Sequence, residues 1–173
     1  MNRLQTAYPH LCNHLLLINI QQQRLYQLQD LQLKSEYRIS SASLGIGQQS
    51  GSNQTPLGAH LILEKFGDGA PLGTIFKGRQ NTGKVATILT DKHTRSDQDN
   101  ITSRILRLSG LEAGLNQGGS VDSYQRYIYL HGTDEEGLLG TPASHGCIRL
   151  ANQAIIDLYP QLPIKTLVYI YAC

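Results

Sequence analysis

Two short segments of the chain each place a reactive side chain beside a glycine. His131 and Gly132 lie in the segment Tyr129–Thr133, and Cys147 follows a glycine in the segment Ser144–Leu150. Cys147 comes 16 residues after His131, a separation that lets the intervening loop fold back and bring the two side chains together. A thiol and an imidazole brought together from separate segments indicate nucleophilic acyl transfer.

The chemistry explains why these residue types are needed. A free thiol is only slightly ionised near neutral pH, so a nucleophilic cysteine needs a neighbouring base or a helix N-terminus. An imidazole can accept the thiol proton and later return it to the leaving amine. Gly146 allows a tight turn that aims backbone N–H groups at a developing oxyanion. We therefore predict that Cys147 is the nucleophile of an acyl-transfer enzyme, aided by the dipole of a helix that follows it.

Two histidines compete for the role of base. His145 lies two residues before Cys147 and would share its face only on a strand, whereas His131 arrives from another segment, as in other Cys/His pairs. We predict that His131 is the base and that His145 shapes the pocket. The alternative is a zinc site made of His131, His145 and Cys147, but no second pair of ligands has suitable spacing. The other cysteines, Cys12 and Cys173, are predicted to be small buried side chains, and three cysteines in all make no disulfide framework.

Short strands and one helix are predicted to position these residues. Apolar runs and alternation between polar turns are typical of an antiparallel β-sheet. The predicted strands are His14–Ile20, Arg24–Leu33, Glu36–Ser41, His60–Phe66, Tyr127–Leu130 and Leu167–Tyr171, with Ser103–Leu111 undecided between strand and helix. The one helix predicted is capped by Asn152 and ends near Pro160. The polar stretch 87–101 is expected to be a solvated loop or a lid over the site.

Composition limits the class of protein. Its 173 residues, 40% hydrophobic and 16% charged, fit a single domain at residues 1–173 that buries a core without metal or disulfide support. A net charge of +2 without a basic run argues against nucleic-acid binding. The apolar run Leu15–Ile20 is too short to span a bilayer or to form a secretory signal. We therefore expect a cytoplasmic protein, or a periplasmic one if a leader precedes Met1 in the natural chain.

At the reactive residues the sequence resembles the L,D-transpeptidase (YkuD-like) family. That family has a histidine, a gap of mid-teens length, and then Ser/Thr-His-Gly-Cys followed by an aliphatic residue and Arg or Asn. His131 and the run Ser144–Arg149 match this pattern fully. Thr55-Pro56-Leu57-Gly58 is similar to the family's Thr-Pro-x-Gly, and the resemblance covers nearly the whole chain.

The resemblance implies a fold and a set of site residues. The fold is a mainly β, YkuD-like β-sandwich with a short helix after the catalytic cysteine and a long loop insertion, which we place with the lid at about 67–126. The Gly132 carbonyl is expected to orient His131, and the N–H groups of Gly146 and Cys147 to form the oxyanion hole. The substrate-binding residues are expected to be Ser144, His145 and Arg149. Arg149 is expected either to bind a substrate carboxylate or to brace the loop. His60 is expected to be either structural or functional, and both questions stay open at this point.

The resemblance also implies a reaction. Cys147 is expected to attack the bond between the L-centre of meso-diaminopimelate and D-alanine in a peptidoglycan tetrapeptide, forming a thioester without a cofactor. Because the expected location is cytoplasmic, we favour an L,D-carboxypeptidase that trims recycled muropeptides, using Thr102–Tyr129 to shape a site for a small substrate. The alternatives are an L,D-transpeptidase that crosslinks stems or exchanges D-amino acids, and a silent peptidoglycan-peptide binding domain. A carbapenem is expected to acylate the same cysteine.

Overall fold

A computed structural model describes residues 2–172 and shows a mainly β fold, as predicted. Two α-helices, α1 and α2, span Asn2–Ala7 and Asn152–Leu158. The ten strands are β1 His14–Asn19, β2 Arg24–Gln29, β3 Gln32–Arg38, β4 Gly58–Phe66, β5 Thr74–Lys77, β6 Gln80–Val85, β7 Ile101–Gly110, β8 Tyr129–Thr133, β9 Ile148–Leu150 and β10 Leu167–Tyr171. Strands β1, β4 and β10 lie where they were predicted. The segment Arg24–Leu33, predicted as one strand, is divided by a turn at residues 30–31, and β3 starts before the predicted Glu36 and ends before Ser41.

The strands form one sheet that curls around the main core. Its order is β3-β2-β1-β10-β4-β7-β5-β6, and β8 pairs with the other edge of β7 and with β9. The core inside the curl takes apolar side chains from seven of the strands and from α2, among them Leu16, Leu106, Leu130, Ile148 and Ile155. Since β7 pairs with β4 and β5 on one edge and β8 on the other, it is the strand that supports the site.

The undecided segment Ser103–Leu111 is a strand, and almost every side chain along β7 is buried. The buried residues of β7 include Thr102, Ser103, Arg104 and Arg107 as well as apolar ones, so the sequence shows neither clean alternation nor a continuous apolar run, and its pattern was ambiguous. The pairing of β7 with β8 shifts register between Thr102 and Ile105, and Ser103 there has a φ of +62°. This β-bulge bends β7 beside His131, which is the residue of β8 that pairs with Ile105.

The prediction that Asn152 caps the helix was wrong by one residue. The residue at the cap of α2 is Ala151, and Asn152 is the first residue inside the helix. The Asn152 amide group is fully buried and donates to the Thr133 carbonyl and to Glu136, both at 2.7 Å. The Asn152 side chain therefore hydrogen-bonds to residues outside the helix and does not cap the backbone N–H groups at the start of α2.

The region 67–126 contains β5, β6 and β7 as well as loops. No regular element lies between β6 and β7, where the polar stretch was expected to be a loop. How much of 67–126 is inserted stays a prediction. The outer face of the sheet carries a second apolar cluster in which Cys12 is buried, as predicted, whereas Cys173 lies outside the described residues.

Candidate active site

His131 lies on β8, and Cys147 lies directly before β9, the strand that pairs with β8 in parallel. Strand β8 carries His131, and Leu130 of β8 pairs with Ile148, the first residue of β9. Cys147 immediately precedes that residue, and its Sγ accepts a hydrogen bond from the Tyr129 N–H at 3.3 Å. The parallel pairing therefore brings the thiol to the strand that carries the predicted base.

The thiol is held by backbone groups on both of its sides. Besides accepting from Tyr129, Sγ donates to the Tyr127 carbonyl at 3.3 Å. Tyr127 adopts a left-handed conformation, with φ +56°, just before β8 begins. The Cys147 side chain is partly accessible and packs beside Phe76, Ile105 and Tyr129. The nucleophile is thus fixed in position while its sulfur stays open to a substrate.

The His131 imidazole is oriented as the family resemblance implied. The ring is 2% exposed, and its Nδ1 lies 2.7 Å from the Gly132 carbonyl. Because a carbonyl only accepts, Nδ1 must carry the hydrogen, which leaves the Nε2 lone pair free to accept a proton. Gly132 is required by space, since a Cβ there would lie 2.7 Å from both the Asn152 Oδ1 and the Thr102 carbonyl.

The electrostatics favour a neutral thiol and a neutral imidazole before substrate binds. Burial raises the pKa of Cys147 to about 12, helped by Asp99 and opposed by the Tyr129 N–H, Arg149 and Arg126. Burial lowers the pKa of His131, opposed by Asp99 and the Gly132 carbonyl. Strand β9 separates Cys147 from α2 along the chain, so the predicted contribution of the helix dipole to the thiol stays a prediction. Ionisation of the thiol is therefore coupled to proton transfer during the reaction.

The turn before Cys147 needs glycine. Gly146 has a φ of +133°, a conformation that side chains other than hydrogen rarely adopt. The Ser144 hydroxyl donates to the Cys147 carbonyl at 2.6 Å, and the Thr55 hydroxyl donates to the Gly146 carbonyl at 3.0 Å. Ser144 is buried, so its contacts shape the turn and do not reach a substrate.

The prediction of a free Gly146 N–H needs correction. In this conformation the group donates to the Ser144 Oγ at 3.2 Å, because the turn folds it back on the preceding serine. An oxyanion donor must point at the reacting carbonyl. The Cys147 N–H, the second donor that the resemblance implied, is therefore favoured as the principal one.

Arg149 braces the site. Its side chain is 1% exposed, and its two terminal nitrogens contact Asp99 Oδ1 at 2.6 Å and Glu135 Oε2 at 2.7 Å. Arg149 Nε has no partner, but the guanidinium is buried and both terminal nitrogens bind carboxylates of the chain, so a substrate carboxylate cannot reach it. Of the two predicted roles, the contacts support bracing. His145 is mostly exposed and its Nδ1 contacts Asp99 Oδ2 at 2.7 Å, which leaves it accessible to a substrate.

The polar loop 87–100 is attached to the site. Asp99 binds Arg149 and His145, Asn100 donates to Asp134 at 2.7 Å, and the Ser96 N–H donates to Glu135 at 2.8 Å. This agrees with a loop that borders the site more than with a freely solvated one. This stretch was predicted to be polar without a role for Asp99, and no role was predicted for Glu135, two residues after the segment that carries His131.

The loop at 44–55 borders the other side of the cysteine turn. The Thr55 hydroxyl binds the Gly146 carbonyl and also accepts from the Ala42 N–H at 3.0 Å. The Arg126 guanidinium donates to the carbonyls of Gly47, Gln48 and Gln54. The signal for Thr55 was present in the Thr-Pro-x-Gly resemblance, whereas nothing in the sequence pointed to Arg126.

His60 is a buried structural residue. It is fully buried in β4, with Nδ1 3.0 Å from the Gly58 carbonyl and Nε2 2.9 Å from the Ser123 hydroxyl. Both ring nitrogens are thus occupied by the protein itself. Burial lowers the pKa of His60 from 6.5 to about 4, with Arg126 acting in the same direction and the Gly58 carbonyl against it.

His60 predicts a loss of stability in mild acid. The unfolded chain binds the proton near pH 6.5 and the folded one only near pH 4, so stability is full above pH 6.5 and falls as the pH falls between these values. The expected loss from His60 alone between pH 7.5 and pH 5 is about 2 kcal/mol. Urea unfolding at the two pH values measures it. The variant His60→Gln should show a smaller loss than the wild type, with His93→Gln, at an exposed position, as control. An equal loss in all three proteins would contradict the assignment.

Within residues 2–172 no helix is long and apolar enough to cross a membrane. In the same part of the chain, no three metal-binding side chains converge as a group that could hold an ion. His145 faces Asp99 and the Cys147 thiol faces the backbone of β8, so the zinc alternative gains no support from the geometry.

Solved L,D-transpeptidase structures share this fold. The chain superposes on those from Xylanimonas cellulosilytica (residues 123–326; 18% identity, TM-score 0.53) and Mycobacterium smegmatis (16%, 0.54). It also superposes on L,D-transpeptidase 3 from Mycobacterium tuberculosis in complex with a faropenem-derived adduct (16%, 0.56). These alignments cover 91–92% of this chain and 59–60% of each structure, so the chain spans about three fifths of their length.

A comparison with curated protein sequences gave no match. A family model for the L,D-transpeptidase catalytic domain, YkuD, matches residues 13–170. That match includes every strand of the sheet except the last residue of β10, together with Cys147, His131 and the segments around them. The chain therefore belongs to the YkuD family of L,D-transpeptidase catalytic domains.

Proposed function

We propose that the protein is a cysteine-dependent L,D-carboxypeptidase that removes the terminal D-alanine from peptidoglycan tetrapeptide stems. The observation that carries the proposal is the placement of the Cys147 thiol beside β8, where His131 presents a neutral imidazole oriented by the Gly132 carbonyl. A thiol and an oriented imidazole on neighbouring segments are the two groups that thioester chemistry needs. Membership of the family supports the same reaction class.

In the first half of the reaction, Sγ attacks the carbonyl carbon that joins the L-centre of meso-diaminopimelate to D-alanine. His131 Nε2 takes the thiol proton, and the carbonyl oxygen becomes an oxyanion near the Cys147 N–H. The C–N bond then breaks, and His131 returns the proton to the amine of the leaving D-alanine. The stem stays on Cys147 as a thioester.

In the second half, water attacks the thioester carbonyl and gives one proton to His131. The C–S bond breaks, the tripeptide leaves with a new carboxyl group, and the sulfur recovers the proton from His131. Two loops border the cysteine turn, one tied through Thr55 and the other through Asp99. Confinement on both sides supports a small acceptor, because a second peptide stem needs room that water does not.

The acceptor can be tested directly with heavy-oxygen water. Purified protein and a muropeptide tetrapeptide are incubated in water enriched in oxygen-18, beside a Cys147→Ala control. A tripeptide with one heavy oxygen in its new carboxyl group is the expected product. Crosslinked dimers or stems that carry an exchanged D-amino acid would instead show transpeptidation through the same thioester. A tetrapeptide left unchanged by the wild type would contradict both and favour a binding domain.

A cytoplasmic location forms part of this proposal, since soluble muropeptides are recycled there. Fractionation of cells that express the natural gene tests it. Recovery of the protein from the periplasm would contradict the recycling role and favour crosslinking.

A further inference from the structure

One carboxylate connects the polar loop 87–100 to the cysteine segment. Asp99 places Oδ1 2.6 Å from Arg149 Nη2 and Oδ2 2.7 Å from His145 Nδ1. These partners lie on either side of Cys147 in the sequence, and the Asp99 side chain is only 22% exposed. Asp99 therefore holds both ends of the cysteine segment from outside it.

The group that holds Asp99 is itself fixed in the sheet. Arg149 pairs with His131 across β9 and β8, and its other terminal nitrogen binds Glu135. Arg149 is almost fully buried between these two carboxylates. A charge-assisted contact at this depth defines position better than one on the surface, where solvent weakens it. Asp99 is thus held, through Arg149, in a fixed position relative to β8, the strand that carries His131.

The negative charge of Asp99 also acts on the reacting groups. It raises the pKa of both Cys147 and His131, whereas Arg149 lowers the pKa of both and Arg126 lowers that of Cys147. Burial raises the pKa of Asp99, yet the charge and hydrogen bond of Arg149 outweigh it and lower that pKa overall. Asp99 thus stays ionised at neutral pH, and its charge favours the protonated imidazole.

We propose that Asp99 is a positioning residue of the acyl-transfer reaction. Through Arg149 and His145 its carboxylate fixes the loop 87–100 against the cysteine segment. The same carboxylate stabilises His131 when the imidazole has accepted the thiol proton. This inference rests on the proposed function, in which His131 carries that proton twice in each cycle.

The variant Asp99→Asn removes the charge and keeps the size of the side chain. Two readouts are expected to change: Cys147 should become more reactive toward an alkylating reagent, whereas the enzyme should become slower. Alkylation of Cys147 by iodoacetamide should shift to lower pH, because the charge that raises the thiol pKa is gone. The kcat for D-alanine release should fall about tenfold or more with KM changed less than about threefold, because the imidazolium is no longer stabilised. Asp99→Glu, which keeps the charge, should keep the alkylation profile, and Asp97→Asn on the same loop serves as control.

Iodoacetamide needs no peptide substrate, so the alkylation profile tests Asp99 even if the wild type proves inactive on muropeptides. An Asn variant with the alkylation profile and kcat of the wild type would overturn the proposal. So would a slower Asn variant whose alkylation profile is unchanged, since a purely structural role predicts that result. If the Asn variant does not fold, the Glu variant decides: an alkylation profile shifted despite the retained charge would equally overturn it.

Discussion

Replacement of Cys147 by alanine is expected to abolish release of D-alanine, with kcat/KM reduced by at least about four orders of magnitude. The thiol forms and breaks the thioester, and no second cysteine among residues 2–172 can replace it, because Cys12 is buried in the other apolar cluster. The measurement is the rate of D-alanine release from a tetrapeptide under single-turnover conditions. Intact-mass analysis after incubation with imipenem gives a second readout, in which the wild type should gain a covalent adduct and the variant none.

The matched control is Cys12→Ala, which removes the buried cysteine and should keep both the activity and the adduct. A Cys147→Ala protein that still releases D-alanine, or that still gains an adduct, would contradict the assignment of the nucleophile. The fold should survive Cys147→Ala, since the side chain is partly accessible and its two hydrogen bonds are to backbone groups of Tyr127 and Tyr129. Far-ultraviolet circular dichroism checks this.

Replacement of His131 by asparagine is expected to lower kcat by about 10²- to 10⁴-fold. The asparagine amide can still donate to the Gly132 carbonyl, as Nδ1 does, but it offers no basic nitrogen at the position of Nε2. The thiol pKa of about 12 makes the loss severe, because hardly any thiolate exists near neutral pH without a base. Rates of thioester formation and of its hydrolysis should both fall, since the imidazole acts in each.

The pH profile of kcat/KM separates loss of the base from loss of the fold. In the wild type the acid limb should lie below pH 6.5, because burial lowers the pKa of His131 and the neutral form is needed. In the variant that limb should disappear, and the remaining rate should rise with pH as the thiol ionises. His93→Asn, at an exposed position without a role in the reaction, is the matched control. A variant of His131 that retains the wild-type profile would assign the base elsewhere.

The neutral resting state of the pair has a consequence for reactivity. Many nucleophilic cysteines are thiolates before substrate binds, stabilised by a positive neighbour or a helix N-terminus. Here the sulfur lies in a desolvated position between two backbone groups, and β9 separates it from α2. We therefore expect activation of the thiol to depend on the substrate and on His131.

The candidate catalytic residues could be proposed from the sequence because their signals are local. The spacing of His131 and Cys147, and the glycines beside them, report the needs of one reaction and of one tight turn. The strands β1, β4 and β10 could also be predicted, since a short apolar run between polar turns is a property of a few consecutive residues. The sequence did not show that the base and the thiol lie close together; the parallel pairing of β8 with β9 brings their segments side by side.

The tertiary structure decided what depends on contacts between distant segments. Arg149 braces the site instead of binding a substrate because Asp99 and Glu135, which are far apart in the chain, both reach it. Asn152 lies inside α2 and not at its cap because its side chain hydrogen-bonds to the buried partners Thr133 and Glu136. His60 is structural because Ser123 closes over its second nitrogen.

The remaining differences have the same origin. The Gly146 N–H turns toward Ser144, and β7 is a central strand although its own pattern was ambiguous. A sequence pattern shows which groups are polar, apolar or reactive, because those properties belong to single residues. Which partner satisfies a buried charge or amide is set by the close packing of the whole chain, where every such group needs a partner from whichever segment lies nearest.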